Sequence, residues 1–519
     1  MQKLPSFLDF VTSNRIVISP FVRIAFDSVR GYHVLLHARA PSDIDDSRLA
    51  GTSRREIPAN FPLVSIPKEA LLSASSSSIC NVLPEDEITS TAGLILAFMI
   101  ERALGSQSPW AAYINLMPLC EASCVRYWPK EMLDGLEGSD VLDIFRAAES
   151  ALEDMYRSIV MPFFVKNELV IRQLLGHVES RTSEWDDLIS YDTFTGAASV
   201  VAARCFEIDS FIGFALCPVA DLFNHSDREQ VHFESLYEVC EYCGASNGCE
   251  HESAKLLQTL IESSETGSPD TAEQSDSETD KSMPDLSDSG SDSGSDSGSD
   301  MSSSNPDSND SCEIVTNEAI KLPKMSIFEG KEIYNSYGPL SNAHLLVKYG
   351  FALRGNVNNY LLLDRQVRQC YRKYNILWNS TDSTTDLQNP VELKVDYCGR
   401  VNVHLWDRIA QLAQILVKEP IPSHKSLQRF NIKPNTVKRT RINITIVKLI
   451  LEILHDREIR YTDPDVSSIF YEYLIQDLPT TADSTAIQKQ FTAIIFADEK
   501  QMLERAINRC KIFLGPDNL

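Results

Sequence analysis

A low-complexity acidic tract near residues 262–312, with Asp-Ser-Gly-Ser repeated from Asp288 to Asp300, constrains any fold this chain adopts. Such a composition cannot bury enough apolar surface to offset chain entropy, so disorder is expected there. The parts on either side must then meet in one core with the tract looped out. Each flank carries a segment that suits such a meeting. Before the tract lies Pro218-Val219-Ala220-Asp221-Leu222-Phe223-Asn224-His225-Ser226. After it come Tyr334-Asn335-Ser336-Tyr337-Gly338-Pro339, then Asn342, then Tyr349-Gly350-Phe351. Lone-pair groups (Asn224, His225) sit in apolar stretches, and the phenols Tyr337 and Tyr349 each directly precede a glycine. Together they read as one catalytic centre interrupted in sequence. Taken singly, Asn-His-Ser is ordinarily a turn, and Tyr-Gly a packed ring followed by a turn.

The same tract dominates the charge. Residues 262–313 hold 15 Asp and Glu against one Lys, which is −14 of the net −25, leaving −11 for the rest. A moderately acidic folded part argues against direct nucleic-acid binding and favours a basic protein partner. The tract itself reads as a solvated linker, or as a phosphorylatable arm attracting a basic substrate, each phosphoserine adding about −1.5 to −2 charges. At 519 residues the chain has room for two or three domains. The longest apolar run, Ala92 to Ile100, is too short to span a bilayer, and Met1-Gln2-Lys3-Leu4-Pro5 opens no signal-peptide core. The expectation is therefore a monomeric intracellular protein off the membrane, cytoplasmic or also nuclear.

Its 12 cysteines do not make a disulfide scaffold at this length, and most are expected as buried thiols. One cluster has metal spacing: Cys240-Glu-Tyr-Cys243, then Cys249-Glu-His251. Three thiolates and an imidazole could close a tetrahedral structural zinc site at the base of the tract, with Cys312 and His232 as substitute ligands. Loop cysteines without a metal are the alternative.

Periodicity divides the remainder. Residues 1–80 read as short strands and turns, among them Gly31–Leu36 and Leu63–Lys68, with a polar loop over 41–60. From Glu87 to about Arg172 the pattern is helical, first around Leu94, Ala97 and Phe98 up to Gly105. A second helix is expected from an N-cap at Ser139, burying Leu142, Phe145, Ala148, Leu152 and Met155. Lys331–Tyr334 reads as a strand. Beyond Tyr360 helices return: Leu405, Ile409, Leu412 and Leu416 share a face, as do Ile446, Leu449, Ile450 and Ile453. A last helix is expected over about Ala486 to Arg509.

Asp221-Leu-Phe-Asn224-His225-Ser226, Ser336-Tyr337-Gly338 and Tyr349-Gly350-Phe351, in this order, resemble the SET-domain protein-lysine methyltransferases. The branch is that of the Rubisco large-subunit and fungal ribosomal-protein lysine methyltransferases. The resemblance extends to Leu63–Lys68 with Leu71-Leu72-Ser73, Trp110-Ala-Ala-Tyr113 with Leu116-Met-Pro118, and the helical C-terminus. It implies an α+β fold: a SET domain of small β-sheets over 1–355 with a helical insertion near 85–190, and a helical substrate-binding domain over 356–519. It implies S-adenosylmethionine held by Gly31, Arg204, Asp221, Asn224, His225, Tyr337 and Phe351. Within that set Arg204 is expected near the cofactor carboxylate and Phe351 on the adenine. Tyr337 and Tyr349 would line a lysine channel as the catalytic pair. One departure stands out, because His33 occupies the place of a second glycine after Gly31. The implied substrate is a non-histone protein, a ribosomal protein or translation factor. Histidine methylation and a non-catalytic SET-fold binding protein are the other readings.

Overall fold

The computed structural model describes all residues except 1–2, 28–29, 38–55, 177–181, 247, 252, 255–309, 322–329, 378–391, 478–483, 517 and 519. Nearly all of the acidic tract, and most of the polar loop expected over 41–60, therefore lie outside the described residues. The chain opens with a helix, Lys3–Ser13, where only strands and turns were expected. The signal was present: Phe7, Phe10 and Val11 follow helical spacing, and all three are buried. Short strands follow: β1 (Val17–Ile18), β2 (Val22–Asp27), β3 (Gly31–Leu36), β4 (Glu56–Ile57), β5 (Pro62–Pro67) and β6 (Leu72–Ser73). After a long helical stretch come β7 (Cys205–Asp209), β8 (Gly213–Leu216), β9 (Val231–Glu234), β10 (Ser311–Thr316) and β11 (Ile320–Lys321), with β12 (Tyr360–Leu362) and β13 (Lys394–Asp396) further on.

Every sheet is small. β1-β5-β10-β9 form a 4-stranded sheet, β6-β8-β7 a 3-stranded one, and β2-β3, β11-β4 and β12-β13 are pairs. All these ladders are antiparallel. β9 and β10 pair with Glu234 opposite Glu313, so the long segment joining them leaves and re-enters the core at one place. The tract is inserted into a strand-to-strand connection, where extra length costs little because loop-closure entropy grows only logarithmically.

The helical stretch begins with Thr91–Leu104, whose first turn is capped by Ser90 Oγ accepting from Gly93 N at 3.0 Å. Asp140–Met155, a π-helical turn at Tyr156–Val160 and Met161–Leu174 run on without a break, and Tyr191–Arg204 leads into β7. Ser139 does precede Asp140–Met155, but its hydroxyl donates backwards to Leu136 O at 2.7 Å and makes no side-chain cap. Along that helix Leu142 is buried, whereas Phe145, Ala148, Leu152 and Met155 are only half-buried. In the C-terminal part Arg441–Glu458 packs between Val403–Val417 and the last helix, Ser484–Leu514. That helix runs five residues past the expected end at Arg509 because Cys510, Phe513 and Leu514 are buried. Leu405, Ile409 and Leu412 are in the core as expected, while Leu416 is exposed.

One buried ion cluster ties the two halves. Arg457, fully enclosed, donates to Gly138 O (2.8 Å), Asp140 Oδ1 (3.0 Å) and Glu499 Oε2 (2.9 Å). Tyr461 Oη donates to the same Glu499 oxygen at 3.0 Å, and the Asp140 and Leu362 backbone N–H groups bond Glu499 and Asp140 at 2.9 and 2.8 Å. Removing the arginine leaves two enclosed carboxylates facing each other. Arg457→Ala is expected to cost about 3–5 kcal/mol, read as a lower urea midpoint at unchanged slope. A loss under about 1 kcal/mol would mean that the cluster does not hold the halves together.

Candidate functional site

The first flank of the site leaves the sheet at the end of β8. The chain turns through Val219, a buried β-branched residue at φ 76°, and a short 3₁₀ turn, Ala220–Leu222. A β-branched side chain in the left-handed region is strained, and such strain persists only where surrounding packing enforces it. The turn delivers Asp221 inward and Phe223, Asn224 and His225 onward.

The second flank reaches the same place from across the tract. Lys331 O and Ile333 N bond β3 at Leu36 N (2.8 Å) and Val34 O (3.1 Å). Beyond them Asn335 N donates to Asn224 O (2.9 Å), and Ser226 N donates to Asn335 O (3.1 Å). This is a parallel bridge between His225 and Asn335. The strand expected over Lys331–Tyr334 is thus an extended segment with isolated bridges at Glu332 and Asn335, because it switches partner from β3 to the 224–226 segment within a few residues.

The side chains named from the sequence meet here. The Tyr337 backbone N–H donates to His225 Nδ1 at 3.0 Å, which places the ring proton on Nε2, and Tyr337 Oη donates to Phe223 O at 3.2 Å. The Tyr337 ring centroid lies 4.6 Å from that of Tyr349, 5.1 Å from His225 and 6.5 Å from Phe351. Phe351 is 6.0 Å from His225 and 6.2 Å from Tyr349. All four rings are half-buried, so they form a wall reachable from solvent. Burial raises the Tyr337 phenol far above its usual range and lowers His225, so both are neutral near pH 7.

Charges stand one layer behind the rings. Arg204 Nη1 donates to Asp221 Oδ2 at 3.3 Å, and its Nε and Nη2 reach Glu121 Oε1 at 3.0 and 2.9 Å. Arg204 is therefore brought to the site with its guanidinium already engaged by two carboxylates. Burial pushes Asp221 up to about 6 against the pull of Arg204. Asp221 Oδ1 and Tyr113 Oη have no hydrogen-bond partner, although both are enclosed.

Glu332 is the group sequence reasoning missed. It is buried and accepts from Asn224 Nδ2 (2.7 Å), Arg30 Nη1 (2.8 Å) and Tyr334 Oη (3.1 Å). Glu121 was missed as well. Gly31 opens β3 at φ 69°, and neighbouring Arg30 reaches the site through Glu332. His33 points into the hairpin interior, 1% exposed, with Nδ1 3.0 Å from Gly31 O. The departure from the two-glycine pattern is thus absorbed by the hairpin's inner face.

Tyr349 and Phe351 flank the end of the helix Asn342–Tyr349, capped at its start by Ser341 Oγ. Gly350 stops it at φ 78°, and a Cβ there would lie 2.3 Å from Ser123 Oγ, so both backbone angle and space require glycine. Asn342 Nδ2 donates to Leu353 O (2.7 Å) and Asp498 Oδ2 (2.9 Å), and Asn359 Nδ2 donates to the same Asp498 oxygen at 2.7 Å. The ring wall is pinned in this way to the last helix.

The ligand atoms of Cys240, Cys243, Cys249 and His251 lie within 4.8 Å of one another. The substitutes are elsewhere: Cys312 is in β10 near Ser235 Oγ (3.7 Å), and His232 bonds Asn317 and Glu234, each at 2.6 Å. None of the 12 cysteines is in a disulfide. No helix among the described residues is long and apolar enough to cross a membrane.

Comparison with solved structures decides the fold. The SET domain of LSMT bound to lysine and AdoHcy matches with a TM-score of 0.55 at 15% identity, over 98% of this chain and 91% of that one. The chain has the SET-domain fold. A structure of Rubisco LSMT bound to AdoMet matches equally, with a TM-score of 0.55 at 14% identity, over 98% and 92%. Ribosomal lysine N-methyltransferase 3 of Saccharomyces cerevisiae is 27% identical over 330 residues, 60% of this chain and 59% of that protein. N-lysine methyltransferase setd6 of Xenopus laevis is 31% identical over 188 residues, 35% and 41% of the two chains. The chain thus spans between 41% and 59% of the length of these two relatives. No protein-family model matches. The resemblance to SET-domain lysine methyltransferases and the α+β fold expected from it are both borne out.

Asp498 lends itself to a pH test. Burial lifts its carboxyl to about 7, outweighing the two asparagine donors, and lifts Asp221 to about 6. The ordinary value is about 3.9, so the folded chain binds more protons than the unfolded one between about pH 4 and pH 7. The ionised forms cost stability above that window, and the cost is relieved as pH falls through it. Asp498→Asn keeps an acceptor for Asn342 and Asn359 without the charge. It is expected to be more stable than the parent at about pH 8, with a flatter pH dependence of urea unfolding down to about pH 5. An unchanged slope would count against the burial of that charge.

Proposed function

We propose that the chain is a protein-lysine N-methyltransferase that takes its methyl group from S-adenosylmethionine and acts on a non-histone protein, a ribosomal protein or translation factor. The observation that carries this reading is the half-buried wall of Tyr337, Tyr349, Phe351 and His225, built of neutral groups with the Arg204–Asp221–Glu121 cluster beside it. Relatives named as lysine methyltransferases favour an amine as acceptor over imidazole or a purely binding role. The chemistry fits the wall. Methyl transfer from a sulfonium to an amine is an in-line displacement, in which the nitrogen lone pair forms the new N–C bond as the S–C bond breaks. Alignment in such a step supplies several kcal/mol. A free lysine of pKa about 10.4 is neutral only about once in a few thousand molecules at pH 7. An apolar channel beside a positive sulfonium lowers that pKa through desolvation and like-charge repulsion.

Each group then has a job. The Tyr337 hydroxyl, held by Phe223 O and kept protonated by burial, orients the amine without adding charge. Phe351 and His225 offer flat faces to an adenine, and the 223–225 backbone offers polar groups at its edge. Arg204, held between Glu121 and Asp221, is the cation expected at the cofactor's carboxylate end. The yeast relative is named for a ribosomal substrate, and this chain's acidic tract favours a basic one.

The test uses tritiated S-adenosylmethionine with ribosomal and soluble fractions, followed by mapping of the labelled residue. Tyr337→Phe is expected to lower turnover on the labelled protein at least ~10²-fold with cofactor affinity nearly unchanged, because the phenol acts at the amine. Asn224→Ala is expected to lower both, since it removes the Nδ2 donor that Glu332 accepts beside the cofactor face. Full activity in Tyr337→Phe, or label on a histidine, would sink the lysine-channel reading.

A further inference from the structure

We propose that Cys240, Cys243, Cys249 and His251 bind one structural zinc ion, which clasps the root of the 235–310 connection onto the β7–β8 hairpin. The four ligand atoms already lie within 4.8 Å of one another. Tetrahedral zinc with bonds of about 2.3 Å to sulfur sets ligands roughly 3.8 Å apart, so closure needs a contraction of about an ångström or less. Thiols and an imidazole in a group this tight, with no disulfide among them, have a composition that suits zinc and suits few other ions.

The backbone holds the first two ligands in a tight turn, independently of the side-chain cluster. Gly244 N donates to Cys240 O at 2.8 Å, and Cys240 N donates to Ala245 O at 2.9 Å, closing a tight turn over the Cys-x-x-Cys segment. The turn depends on Gly244, which sits at φ 70° and whose Cβ would lie 2.9 Å from the Phe211 ring. The Tyr242 ring stacks on His251 at 5.4 Å between centroids, which fixes the imidazole plane.

The clasp has a place to act. Phe211 belongs to the turn joining β7 to β8, where Ser210 Oγ also donates to Val239 O at 2.7 Å and Tyr237 Oη to Glu207 at 3.0 Å. From that hairpin β8 runs directly into the strained Val219 turn and on to Asn224 and His225. Without a metal, few apolar contacts hold residues 240–251 down, since Tyr242, Cys243 and His251 are exposed. Zinc would replace three thiol protons, supply the missing cross-links, and brace the hairpin that carries the first flank of the site.

The test takes the full chain, purified without a polyhistidine tag, and measures metal by mass spectrometry. About one zinc per chain is expected, with Cys243→Ser and Cys249→Ser each losing it and Cys398→Ser, at a remote exposed turn, keeping it. Less than about a tenth of an equivalent in the parent, iron in its place, or zinc retained in both variants would overturn the proposal. Should the variants not fold, the parent chain refolded with Co²⁺ decides. A tetrahedral spectrum with thiolate charge-transfer bands, bleached by a mercurial, supports the site, and an octahedral spectrum refutes it. Chelation of the parent is expected to lower Tm by several degrees while tritium transfer falls only in proportion to unfolding, so failure here leaves the methyltransferase reading standing.

Discussion

The site depends on one parallel bridge, between His225 and Asn335. Antiparallel neighbours can be joined by a short turn, but parallel neighbours need a crossover, and here the crossover is everything from 227 to 334. It contains β9, β10 and the acidic tract. Because β9 and β10 pair with each other, the tract hangs from a closed ladder and its length does not set the distance between the two flanks. That is why fifty-odd low-complexity residues can sit between two halves of one centre. The bridge also explains the two bonds on either side of Asn335. They fix the register in which Tyr337 reaches His225, and a slip of one residue would turn the phenol to the opposite face.

What was legible in the sequence follows from this construction. Residues that act by identity, namely Asn224, His225, Tyr337, Tyr349 and Phe351, stood out because their chemistry is odd for their surroundings. Residues that act by holding others did not. Glu332 lies in a segment that alternates like a strand, and nothing local reveals that it receives Arg30, Asn224 and Tyr334 from three parts of the chain. Glu121 pairs with Arg204 across a sequence distance that no periodicity reports. The opening helix was hidden by brevity, and the half-buried face of Asp140–Met155 by treating apolar spacing as full burial. The metal-like cluster was legible because its ligands are close in sequence. Cys312 and His232, which looked equally eligible by type, were excluded only by where β9 and β10 place them.

The two halves of the molecule are coupled through polar contacts in an otherwise apolar seam. Ala343, Leu346 and Ala352 pack with Ala493, Ile494 and Ala497, and beside them Asp498 receives two asparagines. At the very next residue of the last helix, Glu499, Arg457 is shared with Asp140. Apolar contacts alone would tolerate sliding of the helices, whereas directional bonds to enclosed charges define one arrangement. The helix carrying Tyr349 is thereby positioned by the C-terminal part, so that part contributes to the shape of the ring wall as well as to any surface that meets a protein.

The distribution of charge around the wall is the last step in the argument. A sulfonium and an ammonium repel, and a site that brings them together must do so without fixing a counter-ion between them, since a carboxylate at contact distance would hold the amine protonated. Here the groups at contact distance are phenols, a phenyl ring and an imidazole kept neutral by burial. The carboxylates of Asp221, Glu121 and Glu332 are withheld by Arg204 and Arg30, close enough to offset the positive charge of a bound cation and too committed to take its proton. The strain at Val219 and the unpartnered Asp221 and Tyr113 oxygens lie on this same layer. Polar burial that would weaken an ordinary core is concentrated where it sets the field for the chemistry, and the apolar clusters on either side supply the stability that lets it persist.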